Sequence, residues 1–182
     1  MREPSPSTPS SQTLLPHDKE AEQGVLGAII QNNESLYQAA QILRPDYFFS
    51  PAHRILFETM MALNERNDPI DEITLGSLLR SQNKLDQVGG FVYIAELVDL
   101  TPSASNVMIY AEIVREKHQL RSLISAGLDI AAQGRESQEK VDLLIQKAEG
   151  VFLELASQHG RRSWASLKEL LITNFEQLEQ AQ

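Results

Sequence analysis

From Ser103 to Ser157 the chain contains no proline, and this stretch limits the possible folds more than any other. Between Ala104 and Gln133 only Gly127 weakens a helix-favouring run, and Gly134 follows as a C-terminal stop. The pattern predicts one very long helix, roughly 45 Å at about 1.5 Å per residue, longer than a small domain is wide. At about 100° per residue, Ile109, Tyr110, Ile113, Val114, Leu120, Ile124 and Leu128 gather on one broad face. A second arm repeats the design with Val141, Leu144, Ile145, Ala148, Val151, Phe152 and Leu155. Two such stripes predict an antiparallel hairpin over residues 103–157. Leu123 and Ile130 in the first arm, and Leu143 and Leu153 in the second, point away from these stripes. A hairpin closed on itself therefore leaves apolar surface for a second, intermolecular face. Its oligomerising residues are expected to be Ile109, Ile113, Leu120, Leu128, Leu144, Val151, Phe152 and Leu155.

A chain of 182 residues with 42% hydrophobic content can bury one modest core, which predicts one globular domain with an appendage. No run of eighteen apolar residues exists to span a membrane, and no charged leader precedes an apolar segment. The absence of Cys excludes disulfides and zinc–thiolate sites and fits a reducing compartment, so the expected location is cytoplasmic. Net charge is -9 but uneven: residues 18–103 hold 6 Lys plus Arg against 13 Asp plus Glu, a net -7. An acidic head is a poor stand-alone ligand for phosphate backbones, and protein partners are the better expectation.

Residues 1–15, rich in Pro and Ser, have the composition of a disordered tail. A helical head is expected over 16–102. Asp18 can cap its first helix, in which Val25, Leu26, Ile29 and Ile30 form the buried stripe and Gly24 and Gly27 permit close approach of a neighbour. A short helix around Ser35 to Leu43 follows, then the aromatic cluster Tyr47-Phe48-Phe49, placed in the core rather than against nucleobases. Ser50-Pro51 has the form of an N-cap and first-turn proline, and Asp71 can cap the next helix. Gly89-Gly90 turns the chain into a last head helix, and Thr101-Pro102-Ser103 leads into the long arm. Strand-like alternation never persists, so the class is all-α: a compact multi-helix head, a long antiparallel hairpin and a C-terminal amphipathic helix. That last helix belongs to the connector region 158–182, where Trp164, Leu167, Leu171, Phe175 and Leu178 fall on one stripe after the capping box Ser166 and Glu169.

Catalytic signals are missing from the sequence. Lys never follows Gly, which excludes a G-x-x-x-x-G-K-[ST] phosphate loop, and no Ser lies in a G-x-S-x-G setting. His17, His53, His118 and His159 show no metal-ligand spacing, and Glu20 and Glu22 diverge on a helix. The chain is accordingly expected to have no catalytic residues, no metal and no cofactor of its own.

An ordered set of short words carries a resemblance. Pro16-His17, Glu20-Ala21-Glu22 and Leu26-Gly27 are followed by Asp46-Tyr47-Phe48, His53-Arg54, Pro69-Ile70-Asp71 and Thr74-Leu75. Gly89-Gly90-Phe91-Val92-Tyr93, Thr101-Pro102-Ser103-Ala104, Tyr110-Ala111, Ile113-Val114-Arg115-Glu116 and Arg121 complete it. Over about residues 16 to 157 the sequence resembles the bacterial replicative DNA helicases of the DnaB family. The resemblance implies a helical head, a hairpin and a linker helix ahead of a RecA-like ATPase domain, which the present 182 residues do not include. Subunits of the family pair through hairpins, and three pairs form the N-terminal collar of a hexameric ring. ATP and magnesium are implied only for the ATPase domain, and ATP-dependent 5′ to 3′ DNA unwinding only for the parent protein.

Further implied partners are the helicase-binding domain of primase, a helicase loader and, weakly or through the complete ring, single-stranded DNA. Primase-contact positions implied by the resemblance are Tyr93, Ile124 and Ile130, with Leu123 added by its place off the main stripe. Ile130 also lies off that stripe, as a partner-facing residue should, whereas core packing accounts equally well for Ile124 and Tyr93. The stripe of Trp164, Leu167, Leu171, Phe175 and Leu178 is implied to dock on a neighbouring ATPase domain. Rival functions are a direct single-stranded DNA binder using Arg115, Lys117 and Arg121, a stand-alone helical adaptor, and the helicase-binding domain of a primase, which shares the head-and-hairpin plan.

Overall fold

The computed structural model describes residues 15–136 and 141–157, and every regular element among them is a helix. The tail before Leu15 and the connector and linker helix, with Trp164, Leu167, Leu171, Phe175 and Leu178, lie outside the described residues. The described chain forms two compact units, one ending at His118 and one starting at Gln119.

Helix α1 (Lys19–Gln31) is the centre of the head, with every residue from Ala21 to Ile29 buried. Asp18 starts it by accepting the Ala21 N–H at 2.9 Å, as its residue type predicts. Burial on all sides requires close neighbours, and the two glycines supply the space. A Cβ on Gly24 would lie 2.8 Å from the Tyr110 ring, and one on Gly27 would run into the Leu97 carbonyl and the Thr101 hydroxyl.

Helix α2 (Glu34–Ala40) and a 3₁₀ turn (Pro45–Tyr47) lead to α3 (Pro51–Glu65), then α4 (Glu72–Ser81). Helix α4 opens with a capping box between Asp71 and Thr74. A second 3₁₀ turn, Asp86–Val88, ends at Gly89 and Gly90, whose φ angles of 89° and 73° turn the chain into α5 (Gly90–Leu100). The core is built from Leu26, Ile29, Phe48, Leu56, Phe57, Met60, Leu75, Leu79, Ile94 and Leu97, all fully buried. Phe48 meets Phe57 with ring centroids 5.0 Å apart, which places the middle of the aromatic cluster in the core.

Helix α6 (Val107–Glu136) follows a 3₁₀ turn capped by the Ser103 hydroxyl. It starts three residues later than predicted and runs through Gly134, which does not stop it. Its first turns belong to the head, where Val107, Ala111 and Val114 are buried at helical spacing. The second unit contains the remainder of α6 and a helix, α7, over residues 141–157. A Leu144 methyl lies 3.7 Å from where a Cβ on Gly134 would sit, so the arms meet there. Beyond Gln119 the better-covered positions of α6 include Ser122, Ala126 and Ile130, and those of α7 are Leu144, Ala148 and Leu155. Small and large residues alternate among these covered positions, while Leu120, Leu123, Ile124 and Leu128 are left exposed.

Candidate functional site

Two features of the described chain are equipped to do something. The first is a line of polar side chains inside the head. Glu22 of α1, His53 of α3 and Tyr93 of α5 meet there, with Glu22 and His53 only 2% and 1% exposed. The Glu22 carboxylate accepts the Phe49 N–H at 2.5 Å and the Ser50 N–H at 3.3 Å. It also lies 2.6 Å from His53 Nδ1. This corrects the expected cap: Ser50 makes no side-chain capping bond, and the buried carboxylate on α1 instead holds the backbone N–H groups of Phe49 and Ser50 just ahead of α3.

On its other edge His53 Nε2 stands 2.7 Å from the Tyr93 hydroxyl, which accepts Gln23 Nε2–H at 3.1 Å. The two rings lie nearly parallel, 6° apart in tilt. Burial pushes the Tyr93 phenol above its ordinary value; the Gln23 hydrogen bond opposes this, and the charges of Glu22 and Glu96 add to it. Above the line opens a cleft of about 490 Å³ walled by Phe49, Pro51, Val88 and Tyr93, with His17 and Lys19 also lining it. His17 stacks on Phe49 at 4.4 Å, so the cleft has an aromatic side. Among the described residues no group of His, Cys, Asp or Glu can hold a metal ion, and no helix is long and apolar enough to cross a membrane.

The second feature is the outer surface of the hairpin. Leu128 is 65% exposed, Leu123 48% and Ile124 38%, and Leu120, Val151 and Phe152 are exposed with them. Ile109, on the head portion of α6, is exposed, while Ile113 packs against the head core. Leu144 and Leu155 are partly covered within the hairpin. Leu120, Ile124 and Leu128, expected on an inner stripe, are therefore exposed, and Ile130, expected to face a partner, is partly covered.

Of the residues implied to contact primase, Leu123 and Ile124 lie on the exposed surface of the hairpin and Ile130 is partly covered; Tyr93 belongs to the head's polar line and cleft wall. Nothing local in the sequence marks the Glu22–His53–Tyr93 line, whose members lie on three helices. A charged residue two positions into an otherwise buried run was the available signal.

A sequence model of the family described as DnaB-like helicase N terminal domain matches residues 14–116. The chain belongs to this family. The replicative DNA helicase DnaB of Geobacillus stearothermophilus is 33% identical over 169 residues, which are 93% of this chain and 37% of that protein. The chain thus spans little more than a third of that relative's length. The N-terminal domain of DnaB helicase from Mycobacterium tuberculosis superposes with a TM-score of 0.72 at 30% identity, covering 76% of this chain and 98% of that one. A solved structure of a DnaB-like replicative helicase and its interactions with primase gives a TM-score of 0.64 at 26% identity, over 89% of this chain and 35% of that one. The all-α class and the family inferred from the short words of the head both stand.

Proposed function

We propose that this chain is the collar module of a replicative DNA helicase, which assembles subunits through its hairpin and receives primase and a helicase loader in chromosome replication. The observation that carries the assembly role is the apolar row Leu120, Leu123, Ile124 and Leu128, left exposed on α6. Contiguous apolar surface of this kind marks association sites. Membership in the DnaB-like N-terminal family, together with the structural likeness to a helicase described with its primase interactions, supports the primase role.

In this reading the module is not itself an enzyme and needs no cofactor. ATP hydrolysis with magnesium, and 5′ to 3′ unwinding, belong to the parent helicase. Self-association proceeds through dimers to a hexamer, single-stranded DNA is met weakly or by the complete ring, and the setting is the replication fork in the cytoplasm. The acidic balance of the head opposes direct nucleic-acid binding, because that affinity is built on Lys and Arg contacts to phosphates.

Sedimentation velocity from micromolar to tens of micromolar, with and without a purified primase helicase-binding domain, tests both roles. The expected result is a dimer that grows with concentration and a heavier species when the primase domain is added. Monomer throughout rejects assembly, and an unchanged profile with the primase domain rejects the partner.

A further inference from the structure

The exposed side of α6 and the sequence beyond the hairpin carry matching patterns. Leu120, Leu123, Gly127 and Ala131 follow one another along one side of α6 at spacings of three, four and four, and all are exposed. A Cβ built on Gly127 would meet nothing within 4 Å, so the row has a notch between Leu123 and Ala131. Beyond Ser157, where the described residues end, the sequence repeats the same intervals in Trp164, Leu167, Leu171 and Phe175. Aligned interval by interval, the large side chains of Leu171 and Phe175 match the small ones at Gly127 and Ala131.

We propose that the segment carrying Trp164, Leu167, Leu171 and Phe175 docks on this row of its own chain and withholds it from a second copy. Row and segment both belong to the unit that starts at Gln119. Leu144 beside Gly134 sets the register of the two arms, and an antiparallel pair then brings Ser157 level with about Arg121. A chain that turns back there, through the connector ahead of Ser166, runs beside α6 in the direction of α6 itself. Trp164 and Leu167 then arrive next to Leu120 and Leu123. The short tether selects the occupant, because it presents the segment at an effective concentration of about millimolar, ahead of a second copy at micromolar. The stripe implied to dock on an ATPase domain is the same one, so the two dockings exclude each other. Competition with a second copy rests on the reading of the row as an assembly surface; the docking does not.

Two measurements separate these claims. The chain has no Cys, so a pair placed in the full chain reports without background. Gly127→Cys combined with Leu171→Cys is expected to form a disulfide within one chain under mild oxidation, seen as a monomer band of altered mobility on a non-reducing gel. Ser125→Cys with Leu171→Cys is the control, because Ser125 is exposed but lies about 200° round the helix from Gly127, and it should stay reduced. Cross-links only between chains give the row to a second copy and overturn docking within the chain. No cross-link, or equal yields at Gly127 and Ser125, overturns it as well.

The second measurement is sedimentation of the full chain and of Leu171→Asp across the same concentrations. A charge in the docking stripe frees the row, so the variant is expected to self-associate more tightly, roughly tenfold if the parent's row is open about a tenth of the time. Weaker association of Leu171→Asp makes the segment part of the assembly surface and overturns the competition. Equal association of the two chains, beside a cross-link within the chain, also overturns the competition and leaves the docking standing. Monomer in both, beside that same cross-link, rejects the assembly reading of the row while the docking holds.

Discussion

Asn33 and Ile70 are joined by a closed pair of hydrogen bonds. The Asn33 Nδ2 donates to the Ile70 carbonyl at 2.7 Å, and its Oδ1 accepts the Ile70 N–H at 2.8 Å. One amide side chain thus serves both backbone groups of a residue that is 2% exposed, just ahead of α4. The same nitrogen also donates to Ile29 at the end of α1, tying two connections to the central helix. Asn33→Ala leaves a buried donor and acceptor without partners, at a cost of about 2–4 kcal/mol. Thermal unfolding should show a drop of several degrees or more, and hydrogen exchange should accelerate first at Ile70. Exchange at Ile70 matching that of the parent would show that water takes the place of the amide.

The two glycines of α1 should respond unequally to one added methyl group. At Gly24 the obstacle is the Tyr110 ring, which can rotate aside, whereas at Gly27 it includes the Leu97 carbonyl, which is backbone. Gly27→Ala must therefore part α1 from α5 and is expected to cost about 1–3 kcal/mol, or more. For Gly24→Ala a smaller loss is expected, because alanine's helix propensity offsets part of the crowding. Urea unfolding of both variants measures the difference, and equal midpoints would show that α5 yields as readily as a side chain.

A comparison within the hairpin separates seam from surface. Leu128→Asp places a charge on an exposed row and should reduce self-association with little change in melting of the monomer. Ile130→Asp places it in the seam, where an unpaired carboxylate costs about 1–3 kcal/mol and should loosen the pairing of α6 with α7. Sedimentation and circular dichroism on both variants decide the matter. An Ile130→Asp chain that melts like the parent, beside a Leu128→Asp chain that melts early, would reverse the assignment.

The sequence carried the head's architecture well because its signals are local. Asp18 and Asp71 sit immediately before apolar periodicity, Gly89-Gly90 can adopt positive φ, and Val25, Leu26 and Ile29 repeat at helical spacing. Its polar interior was hidden because the partners are remote: Glu22 and His53 are 31 positions apart, and Asn33 and Ile70 are 37. Periodicity reports that a residue is buried, not which donor it will meet. The hairpin stripe misled for a different reason. Helix α6 spends its first turns on the head through Val107, Ala111 and Val114, and beyond Gln119 its better-covered positions include Ser122, Ala126 and Ile130. One helical projection over the full length merges two contact faces that belong to different partners.

The raised pKa of Tyr93 sets a limit to stability in alkali. Its protonated form is favoured more in the folded chain than in the unfolded one, chiefly because burial disfavours the phenolate. A group of this kind contributes its full stabilisation below the unfolded pKa, about 10 for tyrosine, and loses it as pH rises through the folded value. Stability should therefore fall as pH climbs past about 10, with the unfolded chain releasing its proton first. Tyr93→Phe removes this contribution, so its stability should decline less steeply over that window. The same substitution removes the hydroxyl that serves His53 and Gln23, so the variant should start about 1–2 kcal/mol lower at neutral pH. Urea midpoints for both chains between pH 7 and pH 11 are thus expected to converge on the alkaline side. Parallel curves would mean that the phenol ionises without resistance from the fold, and that its burial in the cleft wall is not maintained in solution.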